Sequence, residues 1–244
     1  MHKFFVNKDQ IVDDKIFILG QDVKHIRDVL RLQIEDTIEI ASEGLNYLCH
    51  IEDILRDKII LGIDKKQRGV NEPPIEITLF QGLAKGNKMD LIIQKGTEIG
   101  IKNYYGISTQ RTVVKLNKKK KESRMKRWSA IAEEAAKQSK RDHIPTIKGV
   151  LSFKDMLEVL KKQKNIIIPY EGEEETGIGS AIKNIGSNKI SLVIGPEGGF
   201  EDHEIHKLKE IGGKIVSLGP RILRTETAGF LASAIMLYEL GDLR

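Results

Sequence analysis

Two loops of similar composition follow predicted strands in the last third of the chain: GPEGGF at 195–200 and GPRILRTET at 219–227. Loops at the carboxyl ends of parallel strands are where open α/β sheets bind ligands. Pro196 has no N–H to donate, and Glu197 places a carboxylate where the charge of a phosphate would lie. The chain also lacks the GxGxxG, GxxxxGKS and GxxxxGKT fingerprints. The first loop therefore favours a ligand with a neutral or positive centre, such as S-adenosylmethionine; the alternative is a sharp turn in which glycine supplies a positive φ.

The second loop adds two cations. Arg221 and Arg224 flank an apolar pair, and Glu226 lies in the first turn of the helix that follows. Such a helix would fix Arg224 rigidly at the ends of the strands, as a catalytic cation requires. The alternative is that both arginines form structural ion pairs with Glu197 or Glu226. The helix itself, AGFLASAIMLYEL, is apolar nearly all round, which predicts burial on both sides and indicates a dimer interface.

The basic residues are concentrated in one segment. Residues 111–141 contain 12 Lys and Arg against 3 Asp and Glu, whereas residues 1–72 contain 11 against 14. Such a concentration is typical of proteins that bind a polyanion, most often nucleic acid. The segment predicts a helix over about 120–140 with one apolar stripe, and the arginines lie outside that stripe. A solvated lysine-rich face is the alternative, above all at 118–121.

Composition disfavours several other classes of protein. The 244 residues suffice for one large or two modest domains, and no apolar run approaches the ~18 residues of a membrane span. The opening MHKFFVNKDQ is too charged for a secretory signal, and the single cysteine, Cys49, cannot form an internal disulfide; both favour the cytoplasm. His203 and His206 stand in HEIH, not HExxH, so no metal site is predicted.

The pattern of predicted strands divides the chain at a proline-containing linker. Residues 1–72 read as short strands and turns with one helix-like insert, DVKHIRDVLRL, which predicts a small antiparallel barrel or sandwich. The linker is Asn71-Glu72-Pro73-Pro74, because consecutive prolines resist both helix and central strand. Residues 73–244 alternate strands with helices, which predicts an α/β domain with a mostly parallel sheet. General rules of topology would make that sheet unknotted.

Six segments, in the same order along the chain, are similar to those of one bacterial family. They are HIRDVLRL at 25–32, KGNKMDLIIQKGTEIG at 85–100, QRTVVK at 110–115, RWSAIAEEAAKQSKRDHIP at 127–145, GPEGGF at 195–200 and LGPRILRTETA at 218–228. Together they resemble the ribosomal RNA small subunit methyltransferase E family of the SPOUT superfamily, which methylates N3 of one uridine in 16S rRNA. The chain departs from the family pattern at Lys3, Gly106 and Gln110, where arginine, proline and glutamate are usual. Gln110 puts in doubt any role for a carboxylate at that position.

The resemblance implies a fold, a cofactor and a partner. It implies a PUA-like RNA-binding β-barrel over 1–72 and a SPOUT-type α/β trefoil-knot methyltransferase domain over 73–244. It also implies S-adenosylmethionine in the knot loops, a homodimer with the active site at its interface, and 16S rRNA of the small ribosomal subunit as substrate, without membrane or metal. The expected cofactor-binding residues all lie in the two loops: Gly195, Pro196, Glu197, Gly198, Gly199, Leu218, Gly219, Pro220, Ile222, Leu223, Arg224 and Thr225.

Methyl transfer to N3 of uracil requires the loss of a proton that the base mostly keeps at neutral pH. An arginine beside O2 and O4 would stabilise the resulting anion. The catalytic candidates are Arg111, Arg224 and Glu98; one arginine would bind the uracil or its phosphate and the other would support the cofactor side. Glu98, Glu197 and Glu226 are possible proton acceptors or ribose contacts, although Glu98 is equally a plain helix-end carboxylate. The expected RNA contacts are His25, Arg27, Arg31, Arg111, Arg124, Arg127 and Arg141.

Three other functions fit parts of the sequence. A non-catalytic ribosome-assembly factor would explain the barrel and the basic segment, but it would need no pair of ligand loops. A nucleotide-dependent oxidoreductase would suit the sheet, but its phosphate-binding fingerprint is missing. A SPOUT methyltransferase acting on another RNA site or on ribose O2′ lies closest, because the residues alone do not separate N3 from O2′ chemistry.

Overall fold

The computed structural model describes residues 1–183 and 185–243. The chain forms two compact units. The first contains Met1–Glu72 and Ala136–Ile144; the second contains Pro73–Ala135 and the chain from Pro145 onward. Within the described ranges no helix combines the length and the apolar character needed to cross a membrane.

The first unit is built on a six-stranded sheet. Its strands are β1 (Lys3–Phe5), β2 (Ile11–Val12), β3 (Lys15–Leu19), β4 (Thr37–Ser42), β5 (Leu45–Ile54) and β6 (Lys58–Arg68), in the spatial order β1-β4-β5-β6-β3-β2. β1 pairs with β4 in parallel, and the other neighbours are antiparallel. Alternate residues of β4, Ile38 and Ile40, are fully buried, as the period of two along a strand requires. The structure thus confirms a small, mainly antiparallel β-domain at the start of the chain.

The helix-like insert between β3 and β4 is helical, but not as one regular helix. It consists of α1 (Gln21–Lys24) followed by a π-helical turn (His25–Val29). Val23 and Ile26 are buried in the core of the unit, whereas Val29 is exposed. A π-helical turn inserts extra backbone and is often found at functional sites. The helical periodicity of the insert predicted the helix but not this change of register.

Residues 136–144 belong to the first unit, whereas the sequence divided the chain once, at 73. Lys3 Nζ and Asn46 Nδ2 donate to Asp142 Oδ1 at 2.8 and 2.7 Å, and all three side chains are buried. Burial raises the pKa of Asp142, but the hydrogen bonds from Lys3 and Asn46 lower it by more, so that it lies below its usual range. The prediction that residues 73–244 form one uninterrupted domain is therefore corrected, because a buried ion pair joins residues 136–144 to β1.

Cys49 lies in the core of the first unit and is fully buried. Burial raises the pKa of its thiol to about 12, and the charge of Asp64 adds to the effect. Because the thiolate is the reactive form, we expect Cys49 to resist iodoacetamide at pH 8 in the folded protein and to react after unfolding in urea. Mass spectrometry of the alkylated chain measures this. Fast labelling of the folded protein would contradict the expectation.

The second unit is a six-stranded, fully parallel sheet with helices between the strands. Its strands are β7 (Glu76–Gly82), β8 (Asn103–Ser108), β9 (Thr146–Ser152), β10 (Ile166–Pro169), β11 (Lys189–Ile194) and β12 (Lys214–Val216), in the order β12-β10-β11-β7-β8-β9. Its helices are α2 (Lys88–Ile99), α3 (Lys118–Gln138), α4 (Phe153–Leu160), α5 (Ile178–Ile182), α6 (Asp202–Glu210) and α7 (Thr225–Glu239), of which α3 continues into the first unit. The predicted α/β class is confirmed, while the trefoil knot stays a prediction.

The edge strand β9 was not predicted from the sequence. Every residue in it is partly or fully exposed, so it lacks the apolar alternation of a half-buried strand. Gly149, with φ +147°, also interrupts the run. The strand exists because the neighbouring β8 offers a free parallel edge, to which it pairs with one irregularity in register.

Apolar residues cover both faces of the parallel sheet. Ile77 and Leu79 of β7 pack on the face that α2 and α7 cover, whereas Phe80 packs on the face that α4 and α6 cover. Parallel sheets are normally buried in this way, so the carboxyl edge is the part that remains open to ligands. β10, β11 and β7 are neighbours. The loops that follow them therefore meet at this edge.

Candidate cofactor and active site

A pocket of about 470 Å³ lies between the loop after β12 and the loop after β10. The loop after β12 contributes five of the predicted cofactor contacts: Leu218, Gly219, Pro220, Ile222 and Leu223. The volume falls within the ~300–1,000 Å³ typical of small-molecule sites. The second Gly-Pro loop therefore forms one wall of a ligand-sized pocket.

The opposite wall is a loop that the sequence analysis did not single out. Tyr170, Glu171, Glu173 and Glu174 follow β10 and line the pocket. Glu173 Oε1 accepts two backbone N–H groups further along the loop, at 3.1 and 2.9 Å, and hydrogen bonds of this kind lower its pKa. The available signal was the acidic run EGEEE directly after a strand. Carboxylates on this wall suit a cationic ligand such as a sulfonium, so the residues present fit S-adenosylmethionine.

The two Gly-Pro loops are hydrogen-bonded to each other at the start of α7. Arg224 is the N-cap residue of this helix, and Thr225, the first helical residue, is buried. The Thr225 hydroxyl donates to the carbonyl of Gly195 at 2.5 Å. Gln81 Nε2, on β7, donates to the same hydroxyl oxygen at 2.8 Å. Thr225 therefore joins the second loop to the first.

Glu197, in the first loop, is held by the start of α2. Its Oε1 accepts the backbone N–H of Lys85 at 2.9 Å and lies 3.3 Å from Lys88 Nζ. Lys88 Nζ also lies 3.4 Å from Glu226 Oε2, in the first turn of α7. Burial raises the pKa of Glu197, but these contacts lower it by more. One lysine thus neutralises a carboxylate from each loop, and the acids pair with it and not with Arg221 or Arg224.

Arg111 clamps the GPEGGF loop from the turn after β8. Its Nε and Nη2 donate to the two carboxylate oxygens of Glu201 at 2.8 and 3.0 Å, and its Nη1 donates to the Gly198 carbonyl at 2.9 Å. The ion pair raises the pKa of Arg111 and lowers the pKa of Glu201. Beside it, the backbone N–H of Gln110 donates to Glu204 Oε1 at 3.0 Å. Arg111 therefore positions the loop in this structure, and a carboxylate at 110 is not needed for that.

Removing either half of this clamp is expected to weaken S-adenosylmethionine binding. Because this ion pair is exposed and screened by solvent, Arg111→Ala and Glu201→Gln should each raise Kd only several-fold by calorimetry. The double variant should be little worse than either single variant, because one interaction is lost in all three. Lys161→Ala, which breaks the exposed Lys161–Glu158 pair on α4, is the control. If Glu201→Gln bound the cofactor normally while Arg111→Ala lost activity, the arginine would act on the substrate directly.

The other two catalytic candidates lie far apart within the chain. Arg224 is exposed at the ends of the strands, and its guanidinium has no side-chain partner among residues 1–183 and 185–243. Glu98 lies near the carboxyl end of α2, roughly 15 Å along the axis from the helix start, and accepts hydrogen bonds from Lys95 at 3.0 and 2.8 Å. At that end of α2, Gly100 lies against Leu237 near the end of α7. The structure therefore does not bring Glu98 to the loops of its own chain.

The expected RNA contacts on α3 differ in exposure. Arg124 is half-buried and Arg127 is exposed. Arg127 donates through Nε and Nη2 to Asp90 Oδ2 at 2.9 and 2.7 Å. Arg141 is buried in the first unit, where its Nε donates to Glu72 Oε1 at 3.0 Å. The prediction of Arg141 as an RNA contact is corrected, because a guanidinium buried against a carboxylate is not available to a phosphate.

The expected contacts in the first unit lie around its π-helical turn. Arg27 is partly exposed; it donates to Asp28 at 2.7 and 3.0 Å and to the Arg56 carbonyl at 3.2 Å. Arg31 is also exposed, with φ +54°. The ring of His25 lies edge-on to Phe4, with 6.1 Å between ring centroids. This part of the unit thus presents two arginines to solvent, while His25 contributes to packing.

The structure gives no support for a histidine metal site. His206 Nε2 lies 3.3 Å from Glu210 Oε1 on the exposed face of α6. In the described part of the chain, no group of three or more His, Cys, Asp or Glu side chains could hold a metal ion. His203 and His206 are exposed on this helix, whereas Glu204 and Ile205 between them are buried.

Comparison with known families and proteins gives matches to both units. The RNA methyltransferase domain family matches residues 71–237, and the RNA methyltransferase PUA domain family matches residues 18–64. Ribosomal RNA small subunit methyltransferase E of Bacillus subtilis is 36% identical over 253 aligned positions, which cover 100% of this chain and 99% of that protein. The protein of the same name from Aquifex aeolicus is 32% identical over 232 positions, covering 93% and 95%.

A solved structure agrees with these matches. The crystal structure of ribosomal RNA small subunit methyltransferase E from Neisseria gonorrhoeae, bound to S-adenosyl methionine, has a TM-score of 0.87 and 27% identity and covers 100% of both chains. Family, sequence and fold thus agree over the full length. The chain belongs to the ribosomal RNA small subunit methyltransferase E family.

Proposed function

We propose that this chain transfers a methyl group from S-adenosylmethionine to N3 of a uridine in 16S rRNA, in the cytoplasm. The observation that carries the proposal is the pocket of about 470 Å³ between the second Gly-Pro loop and the acidic loop after β10. Relatives at 36% and 32% identity are named for methylation of small-subunit ribosomal RNA. N3 as the target atom rests on the family resemblance.

The residues of the pocket have separable roles in this proposal. When bound, the cofactor supplies an electrophilic methyl group on a sulfonium. The backbone of residues 218–223 would hold it, with Glu171 and Glu174 on the opposite wall favouring its positive charge. Arg224, exposed beside this wall, would stabilise the charge that spreads onto O2 and O4 when uracil N3 loses its proton. Arg111 would keep the first loop in place.

We propose further that the enzyme is a homodimer, with α7 in the interface. Leu231 and Tyr238, two turns apart and on one face of α7, are 37% and 66% exposed, and Ile222 in the pocket loop is 89% exposed. Large apolar side chains grouped on an exposed face favour a protein interface. The dimer would place Arg224, at the start of the same helix, close to the partner chain. Sedimentation equilibrium measures the mass; a monomer at micromolar concentration would contradict this part of the proposal.

RNA backbone contact by the basic segment is expected to make binding depend on salt. If the cations of α3, with Arg27 and Arg31, neutralise about four phosphates, log affinity should fall with log salt at a slope near −3. Fluorescence anisotropy with a 16S rRNA fragment measures the slope. Lys119→Ala with Lys120→Ala should make it shallower by about 1–2, whereas Lys207→Ala with Lys209→Ala on α6 is the control. An affinity independent of salt would contradict RNA backbone contact.

The decisive test of the proposed function is mass spectrometry of 16S rRNA from a strain that lacks this gene. We expect 3-methyluridine to disappear at one position and to return when the wild-type gene is supplied, but not when Arg224→Ala is supplied. Loss of a 2′-O-methyl group instead would identify ribose as the target. Unchanged RNA, together with no S-adenosylmethionine binding by calorimetry, would favour the non-catalytic assembly factor.

A further inference from the structure

A short chain of hydrogen bonds lies beneath the two Gly-Pro loops. It begins at Gln81, near the carboxyl end of the central strand β7, whose side chain is buried. Gln81 Nε2 donates to Thr225 Oγ1 at 2.8 Å, and Thr225 Oγ1 donates to the Gly195 carbonyl at 2.5 Å. The chain thus connects β7, the first turn of α7 and the GPEGGF loop.

The direction of these hydrogen bonds is determined by Gln81. An amide nitrogen can only donate, so Thr225 Oγ1 must accept from it and has its own hydrogen left for Gly195. Gln81 Nε2 also donates to the Gly82 carbonyl at 3.2 Å. A flipped amide would place its oxygen against that carbonyl, so the orientation is fixed by two acceptors. One lone pair of the Gly195 carbonyl is consequently occupied by the Thr225 hydroxyl.

The other end of the amide suggests a role beyond stability. Gln81 Oε1 is buried and has no hydrogen-bond partner among residues 1–183 and 185–243. Gly229, on the same side of α7 as Thr225, has no side chain that could donate to this oxygen. A Cβ at Gly229 would lie 3.5 Å from Gln81 Oε1. A buried acceptor without a donor is destabilising, and an apolar side chain of similar size would avoid it. Residues that lower the stability of the fold are expected at functional sites.

We propose that Gln81 is a positioning residue for the cofactor site. Its amide orients the Thr225 hydroxyl, the hydroxyl holds the Gly195 carbonyl, and the two Gly-Pro loops are thereby kept in one binding geometry. β7 also touches the first loop directly, because Gly82 lies against the backbone of Gly195 and Pro196. The inference rests on the proposed function, since it assigns to Gln81 a part in S-adenosylmethionine binding.

Two substitutions test the proposal by reversing or removing the central hydrogen bond. Gln81→Glu keeps the size but places acceptors where the donor was, so that the Thr225 hydroxyl turns to it and Gly195 loses its donor. Thr225→Val keeps the shape without the hydroxyl. Each is expected to raise the Kd for S-adenosylmethionine about tenfold by calorimetry, while circular dichroism remains that of the folded protein. Thr225→Ser, which retains the hydroxyl, should bind more tightly than Thr225→Val.

A pH profile separates positioning from a general loss of packing. Protonation of the Gln81→Glu carboxyl restores a donor, so the affinity of this variant should recover towards wild type between pH 8 and pH 5.5. The recovery should be absent when Thr225→Val is added. Asn103→Asp is the matched control, since it turns a buried amide of the neighbouring strand β8 into an acid at the opposite, amino end of the sheet.

The outcomes are distinguishable. Wild-type affinity and pH dependence in both Gln81→Glu and Thr225→Val would overturn the inference and leave the proposed function intact. If the wild-type protein bound no S-adenosylmethionine, the proposed function and this inference would fall together. If Gln81→Glu failed to fold, equal affinities of Thr225→Ser and Thr225→Val would be enough to overturn the proposal.

Discussion

Replacing Arg224 by alanine is expected to lower kcat for methyl transfer by about 10²–10³-fold, the usual cost of removing one group that stabilises developing negative charge. The guanidinium is exposed and unpaired within the described residues, so its removal leaves no buried charge and should not unfold the protein. The affinity for S-adenosylmethionine should change little. Because the arginine assists ionisation of uracil N3, higher pH should recover part of the lost rate. Single-turnover assays on a 16S rRNA fragment between pH 7 and 9.5 measure both effects.

Two further variants sharpen the expectation for Arg224. Arg224→Lys should retain part of the activity, because it keeps a charge but not the planar pair of donors. Arg221→Ala, in the same loop and equally exposed, should have a smaller effect on kcat. A fall in kcat for Arg224→Ala that stays constant over the whole pH range would contradict a role in N3 ionisation. A loss caused entirely by weaker cofactor binding would contradict a catalytic role altogether.

Substituting Gly82 by alanine is expected to disrupt the first loop. A Cβ at this position would lie 2.2 Å from Pro196 N and 2.6 Å from the carbonyl carbon of Gly195, both backbone atoms that cannot move alone. Overpacking of this kind costs about 3 kcal/mol, which corresponds to a fall in Tm of roughly 6–12 °C for a protein of this size. Displacement of the loop should also abolish measurable S-adenosylmethionine binding. Calorimetry in scanning and titration modes measures the two effects.

Gly179→Ala provides the matched comparison for Gly82→Ala. Gly179 lies in α5, and a Cβ there meets no atom within 4 Å. Alanine is the better helix former, so this variant should be as stable as the wild type or more stable. Normal cofactor affinity in Gly82→Ala would show that the close contact between β7 and the loop has no role in binding.

The elements that the sequence predicted correctly have strong local signals. The β-branched run before Gly195 predicted β11, and Gly100 was correctly placed at the end of α2, where it adopts φ +125°. The two Gly-Pro loops were recognised from their own composition, and the hydrogen bond from Thr225 to the Gly195 carbonyl connects them. The exposed edge strand β9 has no such local signal, since its side chains lack apolar alternation.

The partners of charged residues were the least predictable part of the site. Arg111 pairs with Glu201, and Lys88 with both Glu197 and Glu226, over separations that no helical or strand period relates. Sequence reasoning left open whether Arg111 or Arg224 binds the uracil, and it did not foresee that Arg111 holds the first loop through Glu201 and Gly198. Arg141 was assigned to RNA for its charge, although tertiary contacts bury it. A sequence shows which residues are charged, but it does not show the surroundings that decide which partner each of them binds.

The place of β7 in the sheet has a consequence for synthesis of the protein. β7 pairs with β11 from Glu76 to Gln81, yet residues 83–188 are translated between the two strands. At about 5–20 residues per second, the ribosome needs roughly 5–20 s to reach the partner strand, and during that time an apolar strand has one open edge. The pocket beside the second Gly-Pro loop cannot assemble before the last third of the chain has left the exit tunnel. A nascent chain that stalls early would thus be both inactive and exposed to aggregation, which makes this interval the point at which chaperones matter most.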